Sequence, residues 1–266
     1  MKSKKIIFII AGLLVLFGAI ISGIAVTLAG TYSSNDVKTQ THTVTEHISK
    51  INISAEHDDI CIVATDTDSI KVKYAENKIR KYDFREENGT LSLESVSRDT
   101  LGLKWYDYIN LNINFRDRVK GITVEVPKGF EADIVLNSKH GDIQVAYLKG
   151  SISINADLGD VEIEKSAFSK LECDLDHGDI EMEEVSADSI SLTNDYGDID
   201  IEKISGSNIT LENNCGDIEG TILGNEADYT IYAETNLGDK NIQNRTGGKN
   251  TLDARTEIGD LFIKFM

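Results

Sequence analysis

A Gly-Asp pair recurs through the second half of the chain, and its spacing constrains the fold more than any other feature of the sequence. The seven pairs begin at Gly141, Gly159, Gly178, Gly197, Gly216, Gly238 and Gly259. Successive pairs are 18, 19, 19, 19, 22 and 21 residues apart. A period near 20 residues is typical of solenoids, in which every repeat forms one coil and packs against the coils on either side.

Apolar residues keep the same places in successive repeats. Counted from the Asp of a pair, they stand at positions +1, +3, +6, +11 and +13, as in Ile180, Met182, Val185, Ile190 and Leu192. The alternation at +1/+3 and at +11/+13 predicts two short strands per coil with their apolar sides inward. A helix does not fit, because a glycine in a helix interior costs about 1 kcal/mol and would recur in every repeat.

The Gly-Asp pair itself is predicted to form a corner between two strands, because glycine adopts positive φ without strain. An Asp or Asn stands two residues before the glycine in five repeats, namely Asp157, Asp176, Asp195, Asn214 and Asn236. Such side chains form hydrogen bonds with the backbone of a turn and stabilise it. We therefore expect an all-β fold, a parallel β-solenoid of about 19-residue coils with Gly-Asp corners and about 4.8 Å between coils.

The N-terminus predicts a membrane anchor. Residues 6–29 contain no charged side chain and follow lysines at positions 2, 4 and 5. About 20 apolar residues span a bilayer, whereas the core of a signal peptide takes about 7–15. The lysines should stay in the cytoplasm, so we expect a single-pass cell-membrane protein with an extracytoplasmic C-terminal domain. Cleavage after Ala29 stays open as an alternative.

The whole chain is thus predicted to contain five segments. They are a cytoplasmic basic tail (1–5), one transmembrane helix (6–29), a tether (30–44), an N-terminal β part that caps the solenoid (45–130) and the Gly-Asp solenoid (131–266). The cap should include a hairpin that turns at Asn88-Gly89, a dipeptide typical of two-residue turns. Upstream, His57-Asp58-Asp59-Ile60 aligns with the corner motif, with Asp58 in place of glycine.

Charge excludes one class of partner. The net charge is −18, and residues 131–266 carry 29 acidic but only 10 basic side chains, whereas residues 1–130 carry 16 and 17. Such a surface repels phosphate backbones, so nucleic-acid binding is excluded. Cations, cationic peptides and basic protein surfaces stay open as partners.

The stacked corners raise the question of what neutralises their acids. Backbone N–H groups at the corners could satisfy the carboxylates, some carboxylates could protonate, or calcium could bind between coils. We favour the first. The calcium candidates are Asp157, Asp160, Asp176, Asp179, Asp195 and Asp198.

Other chemistry is weakly indicated. The coils are short, nearly identical and without long loops, so we expect no enzyme, no catalytic residue and no cofactor; a carbohydrate-active β-helix enzyme is the less favoured alternative. His57, His140 and His177 each precede a corner where other coils carry apolar residues, which favours stacking over transition-metal binding. Cys173 takes the core position +13.

Residues Ile122–Phe130, followed by the series of Gly-Asp-Ile/Val coils, resemble a bacterial family known chiefly as a domain of unknown function and often labelled an adhesin. Its members include the membrane-anchored accessory protein of Lia-type envelope-stress operons. The resemblance covers about residues 45–266 and implies a β-strand-repeat domain without established catalytic residues. The expectation is a binding or scaffold module at the cell envelope, in envelope stress or adhesion, with an unidentified protein or envelope partner.

Overall fold

The computed structural model describes residues 38–44, 46–77, 80–96 and 121–266. The chain divides into two compact units. The larger unit comprises 39–75, 82–96 and 120–266, and the described part of the smaller unit contains an ion pair of 3.2 Å between Lys81 Nζ and Glu76 Oε2. Among the described residues no helix is long and apolar enough to cross a membrane, and the span predicted over 6–29 lies outside them.

The described residues form strands and one short 3₁₀ turn, Glu226–Asp228. The strands are β1 (Lys38–Thr43), β2 (Lys50–Ala55), β3 (Ile60–Thr65), β4 (Lys71–Glu76), β5 (Tyr82–Glu87), β6 (Thr90–Ser95), β7 (Ile122–Pro127), β8 (Glu131–Ser138), β9 (Ile143–Ala146), β10 (Lys149–Leu158), β11 (Val161–Glu164), β12 (Ala167–His177), β13 (Ile180–Glu183), β14 (Ser186–Tyr196), β15 (Ile199–Cys215), β16 (Ile218–Ile222), β17 (Tyr229–Leu237), β18 (Asn250–Ile258) and β19 (Leu261–Phe265). The all-β prediction is confirmed.

Each coil contributes one strand to each of two parallel sheets. Sheet A contains, in spatial order, β4, β7, β3, β9, β11, β13, the first part of β15, β16 and β19. Sheet B contains β5, β6, β2, β8, β10, β12, β14, the second part of β15, β18 and β17. The β4–β7 and β5–β6 pairs are antiparallel and lie at one end.

The coils do not stack in chain order at either end. The coil of β2 and β3 lies between that of β6 and β7 and that of β8 and β9. Likewise β18 lies between β15 and β17. After β16 the chain skips the coil position that β18 occupies and enters β17, one coil farther along the stack. It therefore advances about 9.6 Å instead of 4.8 Å, which accounts for the longer Gly-Asp intervals in this region.

The core consists of apolar side chains stacked coil on coil. Ile180 pairs with Ile199 and Met182 with Ile201, all four buried. Cys173 is buried in the same way, as predicted.

The corners require glycine for two reasons. Gly197 has φ +130°, and a Cβ on it would lie 2.0 Å from the carbonyl oxygen of Gly178 in the adjacent coil. Any side chain would therefore meet both backbone strain and a direct clash.

The N-terminal part agrees with the sequence prediction in two respects and differs in two. The β2–β3 coil exists, and Asn88-Gly89 joins β5 to β6. Residues 38–43, expected within the tether, form β1 and pair with β4. Strand β4 pairs antiparallel to β7, in contrast to the parallel pairing predicted for the coils.

Candidate functional site

The corner aspartates form a continuous hydrogen-bonded ladder. In every member but the last, one carboxylate oxygen accepts a hydrogen bond of 2.7–3.1 Å from the backbone N–H of the aspartate in the next coil. The members, in spatial order, are Asp59, Asp142, Asp160, Asp179, Asp198, Asp217, Asp260 and Asp239. The expectation that corner N–H groups satisfy these carboxylates is confirmed. At the N-terminal end, buried Asp58 replaces the glycine and accepts a hydrogen bond from the Tyr82 hydroxyl.

The six calcium candidates fall into two columns. Asp160, Asp179 and Asp198 belong to the ladder, where one oxygen of each is already engaged. The others, Asp157, Asp176 and Asp195, stand one position before the exposed corner residues. Within the ranges that the structure describes, no group of three or more His, Cys, Asp or Glu side chains is arranged to hold a metal ion.

The corner histidines contact aromatic rings of adjacent coils: the His57–His140 pair is tilted, and the His177–Tyr196 pair is stacked as the sequence indicated. The rings of His57 and His140 lie 4.8 Å apart between centroids, and those of His177 and Tyr196 are also 4.8 Å apart and nearly parallel. Ring packing between adjacent coils thus accounts for this position.

The most distinctive surface is the outer face of sheet A, which the sequence reasoning did not single out. Its signal lay in positions +2 and +4, which alternate with the inward +1 and +3. Four adjacent strands place two rows of carboxylates there: Glu162, Glu164, Glu181, Glu183, Asp200, Glu202 and Glu219. We call this surface the acidic groove.

A backbone irregularity lies within the acidic groove. The register between β15 and β16 shifts between Ile201 and Ile204, and Gly220 stands where other coils carry a large apolar residue. A Cβ at Gly220 would lie 1.7 Å from the Ile201 carbonyl oxygen, so only glycine allows this close approach. The acidic groove has a volume of about 550 Å³, and Met182, Ile201 and Gly220 are among its lining residues.

The far end of the acidic groove is less acidic. Phe262, Thr221 and Lys264 line it there, in place of the paired acids of the preceding coils. Thr221 Oγ1 accepts a 2.8 Å hydrogen bond from the Lys203 backbone N–H, which fixes the irregular strand to its neighbour.

Burial and neighbouring negative charges raise the pKa values of two carboxyl groups in the acidic groove. Burial raises the pKa of Asp200, and repulsion from Asp198, Asp179 and Asp217 raises it further. Burial is likewise the main cause of the raised pKa of Glu162.

Two lysines stand at the rim. Glu183 and Glu164 raise the pKa of Lys165, and a hydrogen bond to Glu202 raises that of Lys203. Lys203 Nζ lies 2.8 Å from Glu202 Oε1. The rim is therefore partly neutralised by bases, while the row at +2 presents its negative charge to whatever enters.

The chain is similar to several solved structures and matches one family model. The search of curated proteins found no match. Among solved structures, a putative cell adhesion protein from Clostridium sporogenes ATCC 15579 is 14% identical with a TM-score of 0.36, covering 86% of this chain and 100% of that one. A putative adhesin from Bacteroides fragilis NCTC 9343 is 15% identical with a TM-score of 0.40, covering 88% and 98%.

A third solved structure, a putative adhesin from Parabacteroides merdae ATCC 43184, is 13% identical with a TM-score of 0.33, covering 88% of this chain and 98% of that one. The sequence itself matches the family model described as Toastrack DUF4097 over residues 48–265, nearly the whole of the predicted β region. The resemblance drawn from the Gly-Asp coils is thereby confirmed. The chain belongs to the Toastrack DUF4097 family.

Proposed function

We propose that this chain is a non-catalytic binding module that holds a cationic partner in the acidic groove. The observation that carries the proposal is the convergence of seven carboxylates from four adjacent strands on one concave surface. Carboxylates attract positive charge, and the half-buried Phe262 ring at the far end of the groove can pack against the aliphatic stem of a lysine or arginine. A cationic segment of a protein or envelope polymer has both features.

Binding explains the groove better than catalysis does. Glycoside hydrolysis requires two carboxyl groups in different environments, one protonated and one ionised. Here Glu162, Glu181 and Asp200 occupy equivalent positions in successive coils, so their surroundings are repeated. Repetition suits a ligand that is itself extended and repetitive.

The proposal includes the place of action. Residues 6–29 would anchor the chain in the cell membrane, and the β-solenoid would act as a scaffold or adhesive module outside it, in the cell envelope. The uncharged 24-residue run after a basic tail supports this placement.

Binding of a fluorescent ten-lysine peptide to the full chain tests the groove. The double substitution Glu181→Gln and Asp200→Asn should weaken binding about tenfold or more, because two desolvated ion pairs are lost. The matched control, Glu172→Gln with Asp174→Asn, removes the same charge from the outer face of sheet B and should leave affinity nearly unchanged.

Equal losses from the two double variants would show attraction by net charge alone and would overturn the proposal. A calcium titration in place of the peptide distinguishes the alternative. Thermal stabilisation by millimolar calcium that groove substitutions abolish, and that monovalent salt of equal ionic strength does not reproduce, would make the groove a calcium site instead.

A further inference from the structure

A row of exposed apolar side chains runs along the Gly-Asp corner. We call it the corner ridge; it contains, in spatial order, Leu158, His177, Tyr196, Cys215, Ile258 and Leu237. The exposed fractions are 40% for Leu158, 55% for Tyr196, 52% for Ile258 and 67% for Leu237. These four are large, exposed and apolar, whereas His177 is exposed but polar and Cys215 is half-buried. Because one ridge residue stands in each of six adjacent coils, the six form one continuous row.

Folding does not require the corner ridge to be apolar. The row contributes nothing to the core, because its side chains point away from the inward stacks of both sheets. Its known contact is the stacking of His177 on Tyr196. Contiguous exposed apolar surface on a soluble domain is typical of an interaction site.

Acidic side chains border the corner ridge on both sides. The aspartate ladder follows it two positions later in every coil. On the other side, one position earlier, stand Asp157, Asp176, Asp195 and Glu257, with the neutral Asn214 and Asn236 in the other two coils. A partner that covers the apolar row must therefore pass between two negative columns.

These borders decide among three kinds of occupant. A second copy placed ridge against ridge would bring acidic columns against acidic columns, at a cost in repulsion. An anionic lipid surface is repelled for the same reason. A protein segment that carries one apolar row between two basic rows matches both the ridge and its borders.

The spacing of the coils selects the conformation of that segment. Ridge residues follow one another at about 4.8 Å, the distance between paired strands. Successive turns of an α-helix are 5.4 Å apart, whereas side chains on one face of an extended strand are about 6.8 Å apart. The helix fits better, and the six ridge residues span about 24 Å, which corresponds to roughly 16 helical residues.

We propose that the corner ridge docks a basic amphipathic helix of a partner protein. The site is separate from the acidic groove, since the ridge lies at the corner and the groove lies on the outer face of sheet A. It therefore does not depend on the proposed function of the groove.

The probe is a synthetic 16-residue helix with leucines along one face and lysines on both flanks, titrated into the full chain. Replacing Ile258 and Leu237 by serine should weaken binding of this peptide about tenfold or more, because both exposed apolar side chains at one end of the ridge are lost. Both side chains are more than half exposed, so these variants should retain the thermal stability of the wild type.

Two controls make the result specific. Tyr232→Ser removes a 48% exposed apolar side chain from the outer face of sheet B and should leave the affinity unchanged. The groove double variant, Glu181→Gln with Asp200→Asn, should change it less than the ridge variant does. A peptide of the same composition with its leucines scrambled should bind equally weakly to wild type and ridge variant.

Three results would overturn the proposal. The first is equal binding by the wild type and the ridge variant. The second is concentration-dependent self-association in sedimentation that the ridge substitutions abolish, which would make a second copy the occupant. The third is ridge-dependent flotation with anionic vesicles, which would make the occupant a membrane.

Discussion

The two sheets are alike on their inner faces and differ on their outer faces. Inside, Ile199 and Ile201 of sheet A and Ile209 and Leu211 of sheet B stack on equivalent residues of neighbouring coils. Outside, sheet A presents the uninterrupted carboxylates of the acidic groove. Sheet B mixes hydroxyls and amides with acids that have their own partners, as in Lys170–Glu172 at 2.6 Å and Arg255–Asp253 at 2.6 Å.

That difference separates folding from function. The inner positions repeat because each coil must bury the same surface against the next. The outer positions carry no such constraint, and one pair of residues per coil would suffice for solubility on either face. The denser row of carboxylates on the outer face of sheet A is therefore the feature on which the proposed binding of a cationic partner rests.

The largest effects should come from the inner faces and should be equal in the two sheets. Ile201→Asp in sheet A and Leu211→Asp in sheet B each place an unpaired charge in the core. Each should lower the free energy of unfolding by about 3–5 kcal/mol, the range for an uncompensated buried charge. Chemical denaturation of the full chain measures it.

The matched outward substitution is Glu202→Lys, whose side chain is 60% exposed and should change stability by under about 0.5 kcal/mol. A large effect from Glu202→Lys, or a small one from either core variant, would contradict the alternation of inner and outer faces.

An intermediate effect is expected at the corner that joins the two sheets. Asp179→Ala removes the acceptor for the Asp198 N–H, now 2.8 Å away, and should cost about 1–2 kcal/mol. Asp179→Asn keeps an acceptor oxygen and should retain most of the stability. If the Asn variant is as unstable as the Ala variant, the charge rather than the hydrogen bond stabilises the ladder.

The sequence predicted the corners and core well, since both follow from local periodicity. Gly197, Asp198 and Ile201 could each be placed from spacing alone. The reversed order of β17 and β18 could not be, because it depends on which strand edges meet in space. Nor could the shifted register between β15 and β16 in the acidic groove be recognised, because it is a long-range pairing with no periodic signal.

The smallest effect concerns the pH dependence of stability at the outer face of sheet A, where the direction of a pKa shift fixes its sign. The pKa of Asp200 is raised in the folded state above its ordinary value of 3.8, so the folded chain holds that proton more tightly than the unfolded chain. Its contribution to stability should be fully present below pH 3.8 and lost as the pH rises through the folded pKa.

Asp200→Asn should therefore stabilise the chain at pH 7, by under about 1 kcal/mol given solvent screening, and should reduce the gain seen on lowering the pH from about 7 to below 3.8. Thermal melting at both pH values measures the effect. Glu172→Gln on sheet B is the comparison; because Lys170 already pairs with Glu172, this change should give no such gain. Identical behaviour of the two variants would remove the electrostatic distinction between the faces.

The most direct test is site-specific photo-crosslinking of the full chain in intact cells. A crosslinking residue at Thr221, at the end of the acidic groove, should capture a basic partner, and the ten-lysine peptide should compete for it. The same residue at Thr210, on the outer face of sheet B, should capture little of that partner. Equal capture from both positions, or capture at Thr221 that the peptide does not reduce, would contradict the claim that the acidic groove is the binding surface.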